Sequence, residues 1–69
     1  MWSVWVAIEY CGESAEYDCE TSDGDEGTLI LLAMGLLYEH DWCPRSGKVE
    51  AWAINRETGD RLDLFSRDD

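Results

Sequence analysis

The residues best suited to chemistry lie between Glu9 and Glu26, EYCGESAEYDCETSDGDE, where eight carboxylates occur with no Lys or Arg among them. Three kinds of chemistry use such a run: acid–base catalysis, cation binding, and electrostatic recognition of a basic partner. Paired carboxylates act as general acid and base only where a pocket holds them against the reacting atoms. A chain of 69 residues has little length from which to build one. No Ser–His–Asp order, Gly-rich phosphate loop or nucleotide fingerprint occurs. The expectation is a protein that is not an enzyme. For calcium, the segment DGDEG is acidic enough, but it lacks the alternating twelve-residue pattern and closing Glu of an EF-hand.

Zinc has a candidate set in Cys11, Cys19, His40 and Cys43. Structural zinc sites bring their ligands in close pairs, and seven residues separate Cys11 from Cys19, too many for a knuckle. Small thiols in or beside a core account for the same residues, so no metal or cofactor is expected. Three cysteines are an odd number for a disulfide framework. Met1 runs straight into a strand-like pattern with no basic leader. Both point to reduced thiols in a cytoplasm. The most apolar run, residues 29–38, is about half of what a bilayer span requires.

Electrostatic recognition remains. Residues 1–44 carry ten acids and no base, while residues 45–69 carry six acids and five bases. Nearly the whole net charge of −11 therefore sits in the first two-thirds. Such a balance excludes DNA, RNA and anionic membranes as direct ligands and favours a basic protein. Natural surfaces intersperse both signs, so a run without one compensating base calls for a functional reading. Glu13, Glu16, Asp18, Glu20, Asp23, Asp25 and Glu26 are the candidate partner-binding residues. Their carboxylates would stand where phosphates stand and occupy the Lys and Arg of a DNA-binding groove. Trp5, Tyr17, Tyr38 or Trp42 would add an apolar anchor that salt does not screen.

The elements that position these residues follow from periodicity. Trp2, Val4, Val6, Ile8 and Tyr10 alternate with Ser3, Trp5, Ala7 and Glu9, which predicts a strand with the first set facing the core. Cys11-Gly12-Glu13-Ser14 reads as a turn. Residues 15–21 alternate again, and if extended they place Glu16, Asp18 and Glu20 on one face about 6.6 Å apart. That spacing is close to that of phosphates along one DNA strand, roughly twice the 3.4 Å rise. A helical turn or a loop is the alternative for residues 11–25. Asp23 with Glu26 fits a capping box opening a helix from about Glu26 to His40. Leu29, Leu32, Ala33, Leu36 and His40 line one stripe, with Ile30, Met34 and Leu37 beside it, implying a largely buried helix. Gly35 in its middle implies close packing there, and Pro44 closes the element. After a turn at Arg45-Ser46-Gly47, residues 48–55 and 61–65 form a hairpin whose loop places Gly59 at a left-handed position. Trp52 and Ile54 are expected to join Leu62 and Leu64 in the core. The fold class is α+β: one domain over residues 1–69, a small antiparallel sheet in ββαββ or βαββ order on one helix.

In length, in residues 2–10 leading into the acidic stretch at 13–26, in the single helix and in the closing hairpin, the chain resembles the small acidic phage-encoded inhibitors that mimic DNA. Among them it is most similar to anti-CRISPR proteins directed at type I surveillance complexes (Cascade), the short type I-C inhibitors in particular. The resemblance implies binding to the positively charged site that recognises target duplex, so that DNA cannot load, within the cytoplasm of a host bacterium. It transfers no individual residue. Two other readings stand beside it: a homodimeric structural or assembly protein whose acidic surface is merely solvated, and a small zinc-binding module.

Overall fold

Nine residues alternating between β-branched or aromatic and smaller side chains form β1 (Trp2–Tyr10), and the computed structural model, which describes residues 1–40 and 47–68, places it in the interior of a sheet. Strand β2 (Glu13–Thr21) returns antiparallel beside it through a two-residue turn, with Tyr10 opposite Glu13. Cys11 and Gly12 both have positive φ, 52° and 80°. This is the left-handed pair that a tight hairpin requires, and it twists in the same sense as the strands it joins. Glycine adopts it freely, whereas a cysteine Cβ is crowded there. Helix α1 (Glu26–Glu39) follows, then β3 (Lys48–Asn55) and β4 (Arg61–Asp68). All pairings are antiparallel and the sheet order is β2-β1-β3-β4. The α+β class, one helix on a small antiparallel sheet, is the class expected from the sequence, and residues 13–21 are a strand.

One helix covers one side of the sheet. Beneath it lie Val4, Val6 and Ile8 of β1 and Val49, Ala51 and Ala53 of β3, buried together with Leu29, Ala33, Leu36 and Leu37 of α1. Tyr17 and Cys19 of β2 and Leu62, Leu64 and Phe65 of β4 pack against this cluster from the two edges. A β-bulge in the last pairing moves the partner of Ala51 to Phe65 and that of Trp52 to Asp63. The extra residue changes the alternation of β4, which is how both Leu62 and Phe65 reach the core side.

Four expectations change. Trp52 and Ile54 are not in the core: the alternation of β3 puts Val49, Ala51 and Ala53 under the helix and turns Trp52 and Ile54 to the opposite face. The helix opens at Glu26 as expected, but its N-cap is Asp25, not Asp23: the Thr28 N–H donates to Asp25 Oδ2 at 3.3 Å. Asp23 instead accepts from the Asp25 N–H (2.9 Å) and the Thr28 hydroxyl (3.2 Å), bracing the approach to the helix. Nor is the helix largely buried. Its apolar residues run around its whole circumference, and Leu31 and Tyr38 are 70% and 66% exposed. Finally, Gly35 is exposed, and a Cβ built on it meets nothing within 4 Å.

His40 caps the helix as its last backbone donor, to the Leu36 carbonyl, and lies outside the buried stripe. Its ring stacks on Tyr17 with centroids 3.7 Å apart, which ties the end of the helix to β2. Gly59 has the expected left-handed backbone, φ 80°. Pro44 and the turn at Arg45 and Ser46 lie outside the described residues.

Candidate functional site

Among the described residues nothing covers the side of the sheet away from the helix, and its residues are set out in four cross-strand rows by the pairing registers. From β2 through β1 and β3 to β4, the rows read Glu20–Ser3–Ile54–Arg61, Asp18–Trp5–Trp52–Asp63, Glu16–Ala7–Glu50–Ser66 and Ser14–Glu9–Lys48–Asp68. Antiparallel sheets tolerate such a solvated face when its cross-strand pairs support one another. Here the support is aromatic. Trp5 and Trp52 lie directly opposite each other, their rings nearly parallel (4°) with centroids 6.4 Å apart. Arg61 reaches in from β4 and lays its guanidinium 4.7 Å from the centroid of Trp52, while its Nε donates to Asp63 Oδ1 at 2.9 Å.

Around this centre the acids outnumber the bases. Glu9, Glu16, Asp18, Glu20, Glu50, Asp63 and Asp68 share the face with Lys48 and Arg61. Lys48 lies 3.7 Å from Glu50, and Arg56, at the end of β3, pairs with Glu20. Glu16 and Asp18 have no ion pair among the described residues. Both are exposed, on an edge strand with nothing beyond it in the sheet. Ala7, the small residue between Glu16 and Glu50, leaves an open depression of about 470 Å³ that Glu9, Ser14 and Lys48 help to line. Its charged lining is three carboxylates and one lysine.

The seven acids nominated from the sequence are thus divided by the fold. Glu16, Asp18 and Glu20 come together on the open face, as their alternation requires. Glu13 begins β2 at the hairpin turn, on the alternate register. Asp23 and Asp25 spend their oxygens on the backbone and hydroxyl of the helix start, and Glu26 lies in its first turn, at the positive end of the helix dipole. Of the nominated aromatic anchors, Trp5 is on the open face, Tyr17 is on the helix side against His40, Tyr38 is on the outer surface of α1, and Trp42 lies outside the described residues. Sequence reasoning missed Trp52 as a member of the site. One signal was present: Glu50 shares its parity, and a carboxylate is a poor companion for a core face.

For zinc, Cys11 sits exposed in the hairpin turn and Cys19 is partly buried on the helix side of β2, while Cys43 is outside the described residues. Among the described residues no group of three or more His, Cys, Asp or Glu is placed to hold a metal ion. Burial pushes the Cys19 thiol above its ordinary pKa, and the charges of Asp18 and Glu39 add to the shift. Among the described residues no helix is long and apolar enough to cross a membrane. Comparison with protein-family models, with curated proteins and with solved structures finds no match to this chain.

Proposed function

We propose that this chain is a non-enzymatic inhibitor that binds the basic nucleic-acid-recognition surface of another protein and keeps nucleic acid from it. The observation that carries the reading is the pair Glu16 and Asp18. They stand at alternate positions of an edge strand, on the uncovered face, exposed and without an ion pair among the described residues. A strand sets such neighbours about 6.6 Å apart, a spacing that lysines and arginines of a phosphate-binding groove can follow. Glu20 extends the line, and binding would exchange its exposed partner Arg56 for a cation of the target. Asp23, Asp25 and Glu26 contribute field and hold the helix. The resemblance to type I anti-CRISPR proteins makes Cascade, in a bacterial host's cytoplasm, the target to test first.

The test is charge reversal of Glu16, Asp18 and Glu20 to Lys, assayed for capture of Cascade and for release of its duplex-DNA binding. The expected result is loss of both, with circular dichroism unchanged because all three side chains are exposed. Binding by the parent chain should also weaken steeply with salt. Inhibition that survives the triple substitution refutes the acidic-face reading. A homodimer is the second reading, favoured by the exposed Leu31, Met34 and Tyr38 on the outside of α1. Sedimentation separates the two: a dimer indifferent to salt, with no inhibition of Cascade, supports it.

A further inference from the structure

The second row of the open face reads the same from either edge: an Asp on the outer strand, then a Trp on the inner one. On the β4 side the pair Trp52 and Asp63 is occupied by the chain's own arginine, its guanidinium over the indole and its Nε on the carboxylate. On the β2 side, Trp5 and Asp18 are the same two groups at the same cross-strand relation. Arg56, which reaches that edge, is engaged by Glu20 in the neighbouring row. No cation lies over Trp5 among the described residues.

We propose that Trp5 and Asp18 form a slot for one arginine side chain of the partner protein, filled as Arg61 fills its counterpart. This rests on the reading of the open face as the side presented to a basic partner, and it names the group that gives that face its selectivity. A guanidinium is planar and weakly hydrated, so it can stack on an indole while its N–H groups point at a carboxylate in the ring's plane of approach. A lysine ammonium has the charge without the flat face or the fork of donors. A line of carboxylates alone would accept either cation; the slot distinguishes them. Edge placement leaves it approachable from the side as well as from above.

The probes are two capped peptides of equal charge, one with alternating Arg and Gly and one with alternating Lys and Gly. Each is titrated at low salt into the intact, isotope-labelled chain while indole and backbone N–H resonances are followed by NMR. The Arg peptide should move the Trp5 indole and the Asp18 amide and bind about fivefold to tenfold more tightly than the Lys peptide. Asp18→Asn and Trp5→Leu should each remove that preference, bringing the two peptides within about twofold. Glu16→Gln should weaken both peptides alike. Because Trp5 is half-buried against Trp52, its replacement is read only with a native-like spectrum; Asp18 is exposed and its variant keeps the test decisive. Equal affinities for the two peptides, with shifts confined to β2, overturn the slot while leaving the acidic face intact. Failure of both peptides to bind overturns the two together. Shifts of Trp5 that depend on protein concentration without peptide would assign the slot to a second copy of the chain and also overturn it.

Discussion

Replacing Gly35 with alanine should stabilise this protein, and the size of the effect can be worked from the helix it sits in. Gly35 is the tenth of the fourteen residues of α1, well away from either cap. Glycine in such a position costs about 0.8–1.0 kcal/mol relative to alanine, because its backbone loses more freedom on folding. The opposing term is steric, and here it is absent: the added Cβ meets nothing within 4 Å. The net expectation is a gain of about 0.8–1 kcal/mol. For a domain of this size that corresponds to a melting temperature higher by roughly 4–8 °C. Urea titration should show a higher midpoint with an unchanged slope, since the variant exposes the same surface on unfolding.

The same substitution examines the outer face of the helix. Gly35 lies between Leu31 and Tyr38 on a surface that is apolar yet exposed. If that surface were closed by a second subunit at close approach, an added methyl group would clash and the sign would invert. A melting temperature that falls, and falls further on dilution, would therefore refute the helix-propensity argument and establish a helix-to-helix interface. An unchanged value would refute it too, since the added Cβ meets no compensating contact among the described residues. The expected rise, independent of concentration, would show that the outer face of α1 is free in solution.

Three further predictions concern the turn, the cap and the thiol. Cys11→Asn should stabilise by about 1 kcal/mol, because Cys11 holds φ at 52° and asparagine tolerates this region far better than other L residues; thermal melts would check it, and a loss of stability would mean that the thiol has a contact of its own. Asp25→Ala should cost about 1 kcal/mol by leaving the Thr28 N–H without its acceptor, whereas Glu26→Gln should cost only a few tenths. Cys19 binds its proton more tightly folded than unfolded. Its contribution is therefore fully present below the ordinary thiol value, and is lost as pH rises from there through the raised folded value. Melting temperatures measured between pH 8 and 11 should fall more steeply for the parent chain than for Cys19→Ala, and parallel curves would refute the assignment.

Much of this architecture was legible because local patterns and global packing agree. WSVWVAIEY and ESAEYDCET alternate cleanly, Cys11-Gly12 sits between them, and the apolar run after DGDEG is too long for a strand. What could not be read was whatever depends on partners distant in the chain. In KVEAWAIN one parity joins Lys48 and Glu50 to Trp52 and Ile54 while the other is apolar but small, so the charge of Glu50 and the bulk of Trp52 point opposite ways. Space decides it: the leucines of α1 leave room for alanines beneath them, and Trp52 is accommodated beside Trp5 on the other side. Asp23 and Asp25 are both good caps, and only the backbone geometry at Asp25 chooses between them. The site was legible in the same partial way. Alternation gathered Glu16, Asp18 and Glu20, but Arg56 is 36 residues from the Glu20 it pairs with, and nothing in sequence spacing announces such a contact. The acidic run looked uniform because charge is local; its division between open face and helix start is a consequence of where β2 ends.

The strongest competing account of those acids is that they merely protect an edge. An exposed edge strand offers unpaired backbone groups to any other strand, and charge along it discourages pairing between copies. Strand β2 is such an edge, and like charges on two copies would repel. Yet the same sheet has a second edge, β4, with the same exposure to the same hazard. There the chain uses both signs: Arg61 with Asp63, and Arg67 next to Asp68. Mixed charges protect the edge while adding little to the self-repulsion of a molecule already at −11. On β2 the side chains that face away from the helix are Ser14, Glu16, Asp18 and Glu20, with no base among them. Edge protection explains charge on β2 but not uniform charge, because β4 meets the same need without it. The excess negative field on β2 raises the electrostatic cost of folding a small domain, and a basic partner is the simplest physical agent that would turn this cost into affinity.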